Sequence, residues 1–455
     1  MTKNMNRRDA LKVLGLGGTA LLGIGPESSK AETRLSSPLS HKAARIVILG
    51  GGAGGMATTA RIRRAAPNAD ITLIAQNRIH LYEPGQVFVA AGLYDREDIE
   101  RLTSKLLPDN VTWLQEELTG IDPDKDSITT DKRKIQYDYL IVALDAEYDY
   151  SRINGLSPDR IGHNGIASVY LNDTSKGTER GGEITHRWFE EIYQSASNGP
   201  VSILLTEPDT PVKEMGTGLN ILFLGNDILR GNGPARRPDV IANTQCLFIR
   251  PDRMLFDAGN YDSILRELID DAGNTGTRFD QVLTAIDETK KTAVFRSGNG
   301  TIEIPYDFIH VTPPMKAPEV LRSSALAVRD GEYEGWMEVD RRTLLHPRFS
   351  NVFGIGNTLA MPNGRTTDSI RTQAIVIQDN IPLLMEGKDL PASYDGHTVS
   401  RIRTRYGEEL LAEFNDNGTI RHYGLDPYEP HWIWWAIDRY LMPRLYFDLM
   451  MRGMY

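Results

Sequence analysis

The chain of 455 residues is too long for one small core and favours two or three domains. Its formal net charge of -10 excludes a general nucleic-acid binder, which needs a basic face to displace counterions. The single cysteine, Cys246, excludes an internal disulfide and a cysteine-bound metal cluster, and no metal site is predicted. Cys246 itself is expected to be a buried, apolar residue.

The first residues of the chain form a predicted export signal. Arg7 and Arg8 precede a weakly hydrophobic, glycine-rich stretch. Paired arginines in this position are typical of the twin-arginine route, which carries folded proteins across the cytoplasmic membrane. An ordinary N-terminal anchor is the alternative. We assign residues 1–31 to the signal and 32–42 to a linker, and we expect the mature chain at the periplasmic face of the membrane.

The next segment predicts a buried parallel strand that ends in a glycine-rich turn. The apolar run at 44–49 is followed by Gly50, Gly52 and Gly55, which match G-x-G-x-x-G. These glycines permit a tight turn, close approach of the backbone to a pyrophosphate, and packing of the next helix on the strand. That helix, predicted at 56–65, points its N-terminus at the phosphates. The turn, which also contains Ala53 and Gly54, therefore predicts a site that holds FAD non-covalently.

A second strand of this fold is predicted at 71–74. The acidic residue that usually follows it and binds ribose hydroxyls is absent. Gln76 and Asn77 follow instead, and either can hydrogen-bond the ribose less strongly than a carboxylate would. We assign residues 43–154 to the first part of the FAD-binding domain.

Residues 155–305 predict a second dinucleotide fold. A strand at 200–205 and a helix at 215–229 flank a loop at 206–214 that has no glycine fingerprint. Without close backbone approach and free amides, pyrophosphate binding is poor, and NAD binding is not expected there.

The FAD-binding domain is predicted to return at 306–385. A strand at 308–311 ends at a proline pair, and a later strand ends at Gly356 and Asn357, before a helix that begins near Thr366. Gly356 and Asn357 thus follow the carboxyl end of a strand, where open α/β sheets bind ligands. The positive end of the helix dipole is expected to face the flavin ring.

The C-terminal segment, 386–455, is predicted to dock on a membrane. Trp432, Trp434 and Trp435 begin a stretch that is apolar on nearly all sides, and a second short amphipathic piece follows at 445–451. Each piece is too short to span a bilayer, but aromatic residues with arginines suit helices that lie in the membrane surface. Packing on the protein's own core or in a dimer interface is the alternative.

Several runs in this order resemble those of one family, the sulfide:quinone oxidoreductases. They are 80–85 (HLYEPG), 138–144 (DYLIVAL), 310–315 (HVTPPM), 335–340 (GWMEVD) and 351–357 (NVFGIGN). The chain looks closest to the mitochondrial-type branch and is less similar to the flavocytochrome c sulfide dehydrogenases. The resemblance implies an α/β flavoprotein with two Rossmann-like domains, which passes electrons from sulfide through a cysteine pair to flavin and then to membrane quinone.

The sequence departs from this pattern around the expected flavin. Glu214 and Thr358 occupy the positions of the two redox cysteines, and Asn357 occupies that of an aspartate that contacts FAD. Asp145 replaces a glycine, and Arg365 replaces a lysine near the flavin ring. Neither glutamate nor threonine can form a persulfide, so the family's sulfide chemistry cannot run in its usual form.

The candidate catalytic residues are therefore Glu214, Thr358 and Arg365. Glu214 can act as a general base while hydride moves to the flavin, or it can be a solvated replacement without a role. We predict an exported FAD-dependent oxidoreductase that passes electrons from an unidentified donor, sulfur compounds included, to quinone or a cytochrome at the membrane surface. The alternatives are a degenerate, membrane-associated partner or scaffold and, more weakly, an NADH:quinone reductase.

Overall fold

The computed structural model of the chain describes residues 38–172, 179–233, 237–298, 300–422 and 424–455. The predicted export signal and most of the predicted linker lie outside the described residues. The strands, in chain order, are β1 (Arg45–Leu49), β2 (Asp70–Ile74), β3 (Ile79–Leu81), β4 (Glu100–Leu102), β5 (Val111–Leu114), β6 (Leu118–Asp122), β7 (Ser127–Thr130), β8 (Lys134–Gln136), β9 (Tyr139–Val142), β10 (Glu147–Tyr148), β11 (Ile166–Ala167), β12 (Val201–Thr206), β13 (Thr244–Ile249), β14 (Thr275–Arg278), β15 (Gln281–Asp287), β16 (Thr292–Ser297), β17 (Gly300–Pro305), β18 (Phe308–Val311), β19 (Met315–Lys316), β20 (Val352–Gly354), β21 (Thr398–Arg405), β22 (Glu408–Asn415) and β23 (Gly418–Thr419). The helices are α1 (Ala53–Ala65), α2 (Gln86–Ala90), α3 (Arg96–Ile99), α4 (Thr103–Leu106), α5 (Gly181–Ala196), α6 (Thr217–Leu229), α7 (Tyr261–Ala272), α8 (Glu319–Arg322), α9 (Thr367–Met385), α10 (Trp432–Tyr440) and α11 (Met442–Arg444).

The first parallel sheet has the strand order β20-β9-β1-β2-β5. Its strand β1 is buried from Ile46 to Leu49, which is typical of a parallel strand covered by helices. α1 begins directly after the glycine turn and packs against α9. The carboxyl ends of β20, β9, β1 and β2 therefore meet at one edge of the sheet, where this class of fold binds its ligand.

The second parallel sheet has the strand order β11-β18-β12-β13-β14. The sequence division at residue 306 put β18 in the returning part of the FAD-binding domain, but β18 pairs with β11 and β12. The chain returns to the first sheet only at β20, which pairs with β9. The boundary between the second domain and the returning FAD-binding domain therefore lies after β18. The sequence could not place it there, because an apolar run indicates that a short strand is buried but not which sheet the strand joins.

Smaller antiparallel sheets complete the two domains. They are formed by β6-β7-β8 after the first sheet's strand β5, and by β15-β16-β17 after the second sheet's strand β14. The described chain is thus a mixed α/β protein with two Rossmann-type parallel sheets, as the sequence predicted.

The C-terminal segment is not only helical. The antiparallel hairpin of β21 and β22 precedes α10, and α10 packs on β22. Trp434 and Trp435 are buried against the protein's own body, with Trp435 beside Phe88, whereas Trp432 is 46% exposed. Much of the apolar surface of α10 is therefore used within the chain, which was the alternative to membrane contact. Within the described residues, no helix has the length and apolar character needed to cross a bilayer.

Candidate functional site

The predicted phosphate-binding turn lies between β1 and α1. Gly50 has a φ of 105°, and a Cβ there would lie 2.2 Å from the carbonyl oxygen of Ala143. A Cβ at Gly55 would lie 1.8 Å from the carbonyl oxygen of Gly50, so both positions require glycine. A Cβ at Gly52 would meet nothing within 4 Å. Gly52 thus faces open space at the N-terminus of α1, where no side chain of the described residues caps the first amides.

The predicted ribose partners lie at the same edge of the sheet. Gln76 and Asn77 follow β2 after the buried Ala75, and both are exposed. The glycine turn touches the end of this strand, because a Cβ at Gly51 would lie 2.7 Å from the Cβ of Ala75. Ala53, the first residue of α1, continues the turn. The structure therefore gathers the predicted phosphate and ribose residues in one place.

The end of β20 completes this edge. A Cβ at Gly54 would lie 3.6 Å from the side chain of Ile355, which is followed by Gly356 and Asn357. The side-chain nitrogen of Asn357 donates to Asp145 at 2.7 Å. Its Oδ1 is buried and has no hydrogen-bond partner among the described residues. An unused buried acceptor near an uncapped helix N-terminus fits a ligand with both hydroxyl and phosphate groups, such as the ribityl and pyrophosphate groups of FAD.

Glu214 caps helix α9. Its Oε1 accepts hydrogen bonds from the backbone nitrogen and the hydroxyl of Thr367, at 2.8 and 2.6 Å. The end of α9 that was expected to face the flavin ring is therefore partly taken by this carboxyl group. Burial raises the pKa of Glu214 to about 7, against the opposing effect of the hydrogen bonds from Thr367. Glu214 is thus an engaged residue and not a freely solvated one.

Thr358 and Arg365 belong to the same network. Thr358 is fully buried, and its hydroxyl donates to a backbone carbonyl oxygen at 3.2 Å. The guanidinium of Arg365 donates to the carbonyl oxygens of Asn357 and Leu359, at 3.2 and 2.6 Å, on either side of Thr358. The carbonyl oxygen of Arg365 accepts from the amide of Glu214 at 3.0 Å. The three predicted catalytic residues are therefore close, but Thr358 and Arg365 mainly brace the backbone.

Lys213 joins two acidic residues beside this network. Its Nζ donates to Asp145 at 2.6 Å and to Glu83 at 2.7 Å. Burial opposes the charge of Lys213, but the carboxylates of Asp145 and Glu83 outweigh it and hold the pKa of Lys213 above its usual value. Asp145, identified in the sequence only as a departure from the family pattern, thus binds both Lys213 and Asn357.

A small pocket with about 40 Å³ of internal space and an open mouth lies beside Glu214. One wall is apolar and aromatic, and a second is charged. The apolar wall includes Tyr82, Val87, Val169, Tyr170, Val399 and Met442, and the charged wall includes Asp368, Arg401 and Arg403. An apolar group with polar atoms at its rim would match the chemistry of these walls at the pocket mouth.

The charged wall rests on buried ion pairs. Arg401 and Arg403 alternate along β21 and share one face. Arg401 pairs with Asp368 at 3.3 Å, and Arg403 pairs with Asp438 at 2.5 Å. Burial and the nearby Asp438 raise the pKa of the fully buried Glu409, which favours its uncharged form. Arg401 also lies 3.4 Å from Glu409, so the two arginines face three buried acidic side chains.

The second domain is poorly suited to a nucleotide at the corresponding helix, α6. Glu207 follows β12, and its Oε1 lies 2.8 Å from where a Cβ of Gly218, in the first turn of α6, would stand. A carboxyl group there occupies space that a pyrophosphate would need. Cys246 is buried in β13, where burial raises the pKa of its thiol to about 12, so it is an unreactive residue of the core.

Sequence reasoning missed the polar residues that connect the site. Glu83 lies in the run 80–85 that carries the family resemblance, and Lys213 directly precedes Glu214, so their charge at these positions was the available signal. Arg401 and Arg403 could have been recognised only from the alternation of side chains between the two faces of β21, and the sequence analysis predicted no strand there.

A family model and several known proteins are similar to this chain. The model, pyridine nucleotide-disulphide oxidoreductase, matches residues 44–177. The mitochondrial sulfide:quinone oxidoreductase of Mus musculus is 30% identical over 413 residues, which cover 90% of this chain and 86% of the mouse protein. The structure of the Aquifex aeolicus sulfide:quinone oxidoreductase aligns with a TM-score of 0.69 and 21% identity, over 90% of this chain and 91% of that chain. A chain in the Tetrahymena thermophila mitochondrial ATP synthase aligns with a TM-score of 0.75 and 16% identity, over 90% of this chain and 96% of that chain. At these identities the two solved structures support the fold alone.

Proposed function

Because the chain belongs to the sulfide:quinone oxidoreductase family and is an FAD-dependent oxidoreductase, we propose that it passes electrons from a donor to a quinone bound beside Glu214. The donor need not be sulfide, since Glu214 and Thr358 replace the cysteine pair of the family. FAD, when bound, supplies the two-electron exchange between donor and acceptor. The glycine turn, Gln76, Asn77 and Asn357 would hold it.

The observation that carries this proposal is the position of Glu214. Reduction of a quinone to a quinol adds one proton to each of its two oxygen atoms. Oε1 of Glu214 is held by Thr367, which leaves Oε2 to exchange a proton with a ligand in the pocket. A carboxyl group with a pKa of about 7 gives up a proton readily near neutral pH, and the second proton enters from solvent through the pocket mouth.

Replacing Glu214 with glutamine is expected to slow quinone reduction about 100-fold at pH 6. The wild-type rate should fall as pH rises through about 7, because Glu214 then loses the proton that it donates. The Glu214→Gln variant should lack this pH dependence.

The measurement is stopped-flow reoxidation of dithionite-reduced protein by a short-chain ubiquinone analogue. The matched control is Glu303→Gln, an exposed position on β17. Equal pH profiles for Glu214→Gln and wild type would contradict the role.

We also propose that the chain is exported by the twin-arginine route and lies on the periplasmic face of the membrane. The support is the arginine pair at residues 7–8 and one exposed face of α10. Trp432 and Tyr440, eight residues apart on a helix, are 46% and 60% exposed. Aromatic side chains of this kind favour the membrane interface.

Replacing both Trp432 and Tyr440 with serine is expected to move the protein from the membrane fraction to the soluble periplasmic fraction. Neither side chain supports the core, so the variant should melt like the wild type. The control is Met254→Ser, which removes an apolar side chain that is 41% exposed elsewhere on the chain. An unchanged distribution of the double variant would contradict docking by α10, and recovery of the wild type in the cytoplasm would contradict export.

A role as a partner or scaffold is the second candidate. The observation in its favour is that Thr358 and Arg365 bind backbone carbonyl groups, as structural residues do. Rapid reduction of the bound flavin by any sulfur donor, followed by reoxidation with a quinone analogue, would exclude this candidate. An NADH:quinone reductase is opposed by Glu207, and tight nicotinamide binding would revive it.

A further inference from the structure

Asp145 makes an unusually complete set of contacts for a partly exposed carboxylate. Its Oδ1 accepts from the side-chain nitrogen of Asn357 at 2.7 Å and from the amide of Ala146 at 2.9 Å. Its Oδ2 accepts from Lys213 at 2.6 Å, and Lys213 is itself tied to Glu83. The carboxylate is therefore fixed in place by three donors, and one of them comes from the second domain.

These contacts decide how the amide of Asn357 is oriented. An asparagine side chain has a donor end and an acceptor end of nearly equal size, so either end can face a given neighbour. A carboxylate only accepts, so Asp145 favours the orientation in which Asn357 presents its nitrogen to Asp145. Oδ1 of Asn357 then points away, buried and without a partner among the described residues. An isolated buried acceptor of this kind is costly unless a ligand donates to it.

We propose that Asp145 is a positioning residue for FAD: it orients Asn357 so that Oδ1 accepts a hydrogen bond from a ribityl hydroxyl. A carboxylate at position 357 would need no such orientation, because both of its oxygens accept. The asparagine does need it, and Asp145 and Asn357 therefore act as a pair. The inference concerns cofactor binding alone, so it is independent of the proposed quinone chemistry.

The test is a double-mutant cycle with the FAD dissociation constant as the readout. The constant is measured by quenching of flavin fluorescence as FAD is added to protein stripped of flavin. Asp145→Ala frees the amide and should weaken binding about five- to tenfold. Asp145→Asn should stay within about twofold of the wild type, because its amide oxygen can still accept from Asn357.

The decisive comparison is made in the Asn357→Asp background. That single change sets two carboxylates against each other and should weaken FAD binding about tenfold. Adding Asp145→Asn should restore most of the affinity, because the new amide donates to the new carboxylate and leaves its second oxygen for FAD. Asp138→Asn, at the amino end of β9 and on the opposite edge of the sheet, is the control and should change nothing.

Thermal melting of each stripped protein shows whether it is folded before titration. If Asp145→Asn changes the affinity by the same factor in both backgrounds, Asp145 acts only through packing or through Lys213, and the inference is wrong. Failure of the wild-type protein to bind FAD would overturn it as well. Loss of quinone reduction with an intact binding cycle would count against the proposed function and not against this inference.

Discussion

Replacing Gly52 with aspartate is expected to abolish FAD binding and to leave the fold intact. A side chain at this position meets no protein atom within 4 Å, so the apoprotein can accept it. The new carboxylate would accept hydrogen bonds from the first amides of α1 and would place a negative charge where the pyrophosphate needs those same donors. Binding should weaken at least about 100-fold, which corresponds to the loss of more than one charge-assisted hydrogen bond.

Two measurements check this expectation. Flavin absorbance of the purified variant shows whether FAD is bound, and the melting temperature of the flavin-free protein shows whether the fold is intact. Gly199→Asp is the matched control, because a Cβ there also meets nothing within 4 Å but lies far along the chain, between α5 and β12. Gly55→Ala gives the contrasting result: its Cβ would overlap the carbonyl oxygen of Gly50, so it should disrupt the turn itself. A Gly52→Asp protein that retains FAD would show that the phosphates bind elsewhere.

Replacing Arg403 with methionine is expected to destabilise the protein by about 3–5 kcal/mol. The guanidinium of Arg403 and the carboxylate of Asp438 are 4% and 0% exposed, and their closest atoms are 2.5 Å apart. Removal of Arg403 leaves the charge of Asp438 buried between α10 and the hairpin. The midpoint of urea unfolding measures the loss in free energy of unfolding.

The double variant Arg403→Met with Asp438→Asn should recover most of that loss, because no buried charge then lacks a partner. Arg405→Met, two residues further along β21, is the control. Arg405 pairs with Glu408, but both side chains are substantially exposed, so its loss should cost less than about 1 kcal/mol. If Arg403→Met and Arg405→Met unfold at the same denaturant concentration, the Arg403–Asp438 pair does not stabilise the C-terminal segment.

The sequence predicted the parts of the fold that depend on local patterns. The glycine spacing at 50–55 and the apolar run before it predict a strand, a turn and a helix, and these are confirmed from Arg45 to Ala65. The positions of Glu214 and Asn357 were identified because both lie next to short motifs. In each of these cases the signal lies within a few residues of the feature that it predicts.

The contacts that give these residues their roles could not be predicted in this way. Asn357 and Asp145 are separated by 212 positions, and Glu214 and Thr367 by 153. Such pairs depend on how β9, β20 and α9 are brought together, which no single segment reveals. The hairpin of β21 and β22, which packs against α10, could not be predicted either, so the sequence alone did not decide between membrane docking of the tryptophans and their packing on the protein's own core.

The cap that Glu214 places on α9 has a consequence for any attempt to introduce the cysteine pair that the family resemblance implies. Glu214 has a φ of 52°, a conformation that few side chains adopt without cost, and its carboxyl group accepts from an amide that a cysteine side chain would leave without this partner. We therefore expect Glu214→Cys to lower the free energy of unfolding, because it removes the cap of α9. Thr358, whose hydroxyl donates to a backbone carbonyl oxygen, would have to change as well before a disulfide could form. The contacts that Glu214 and Thr358 make thus disfavour cysteine at both positions.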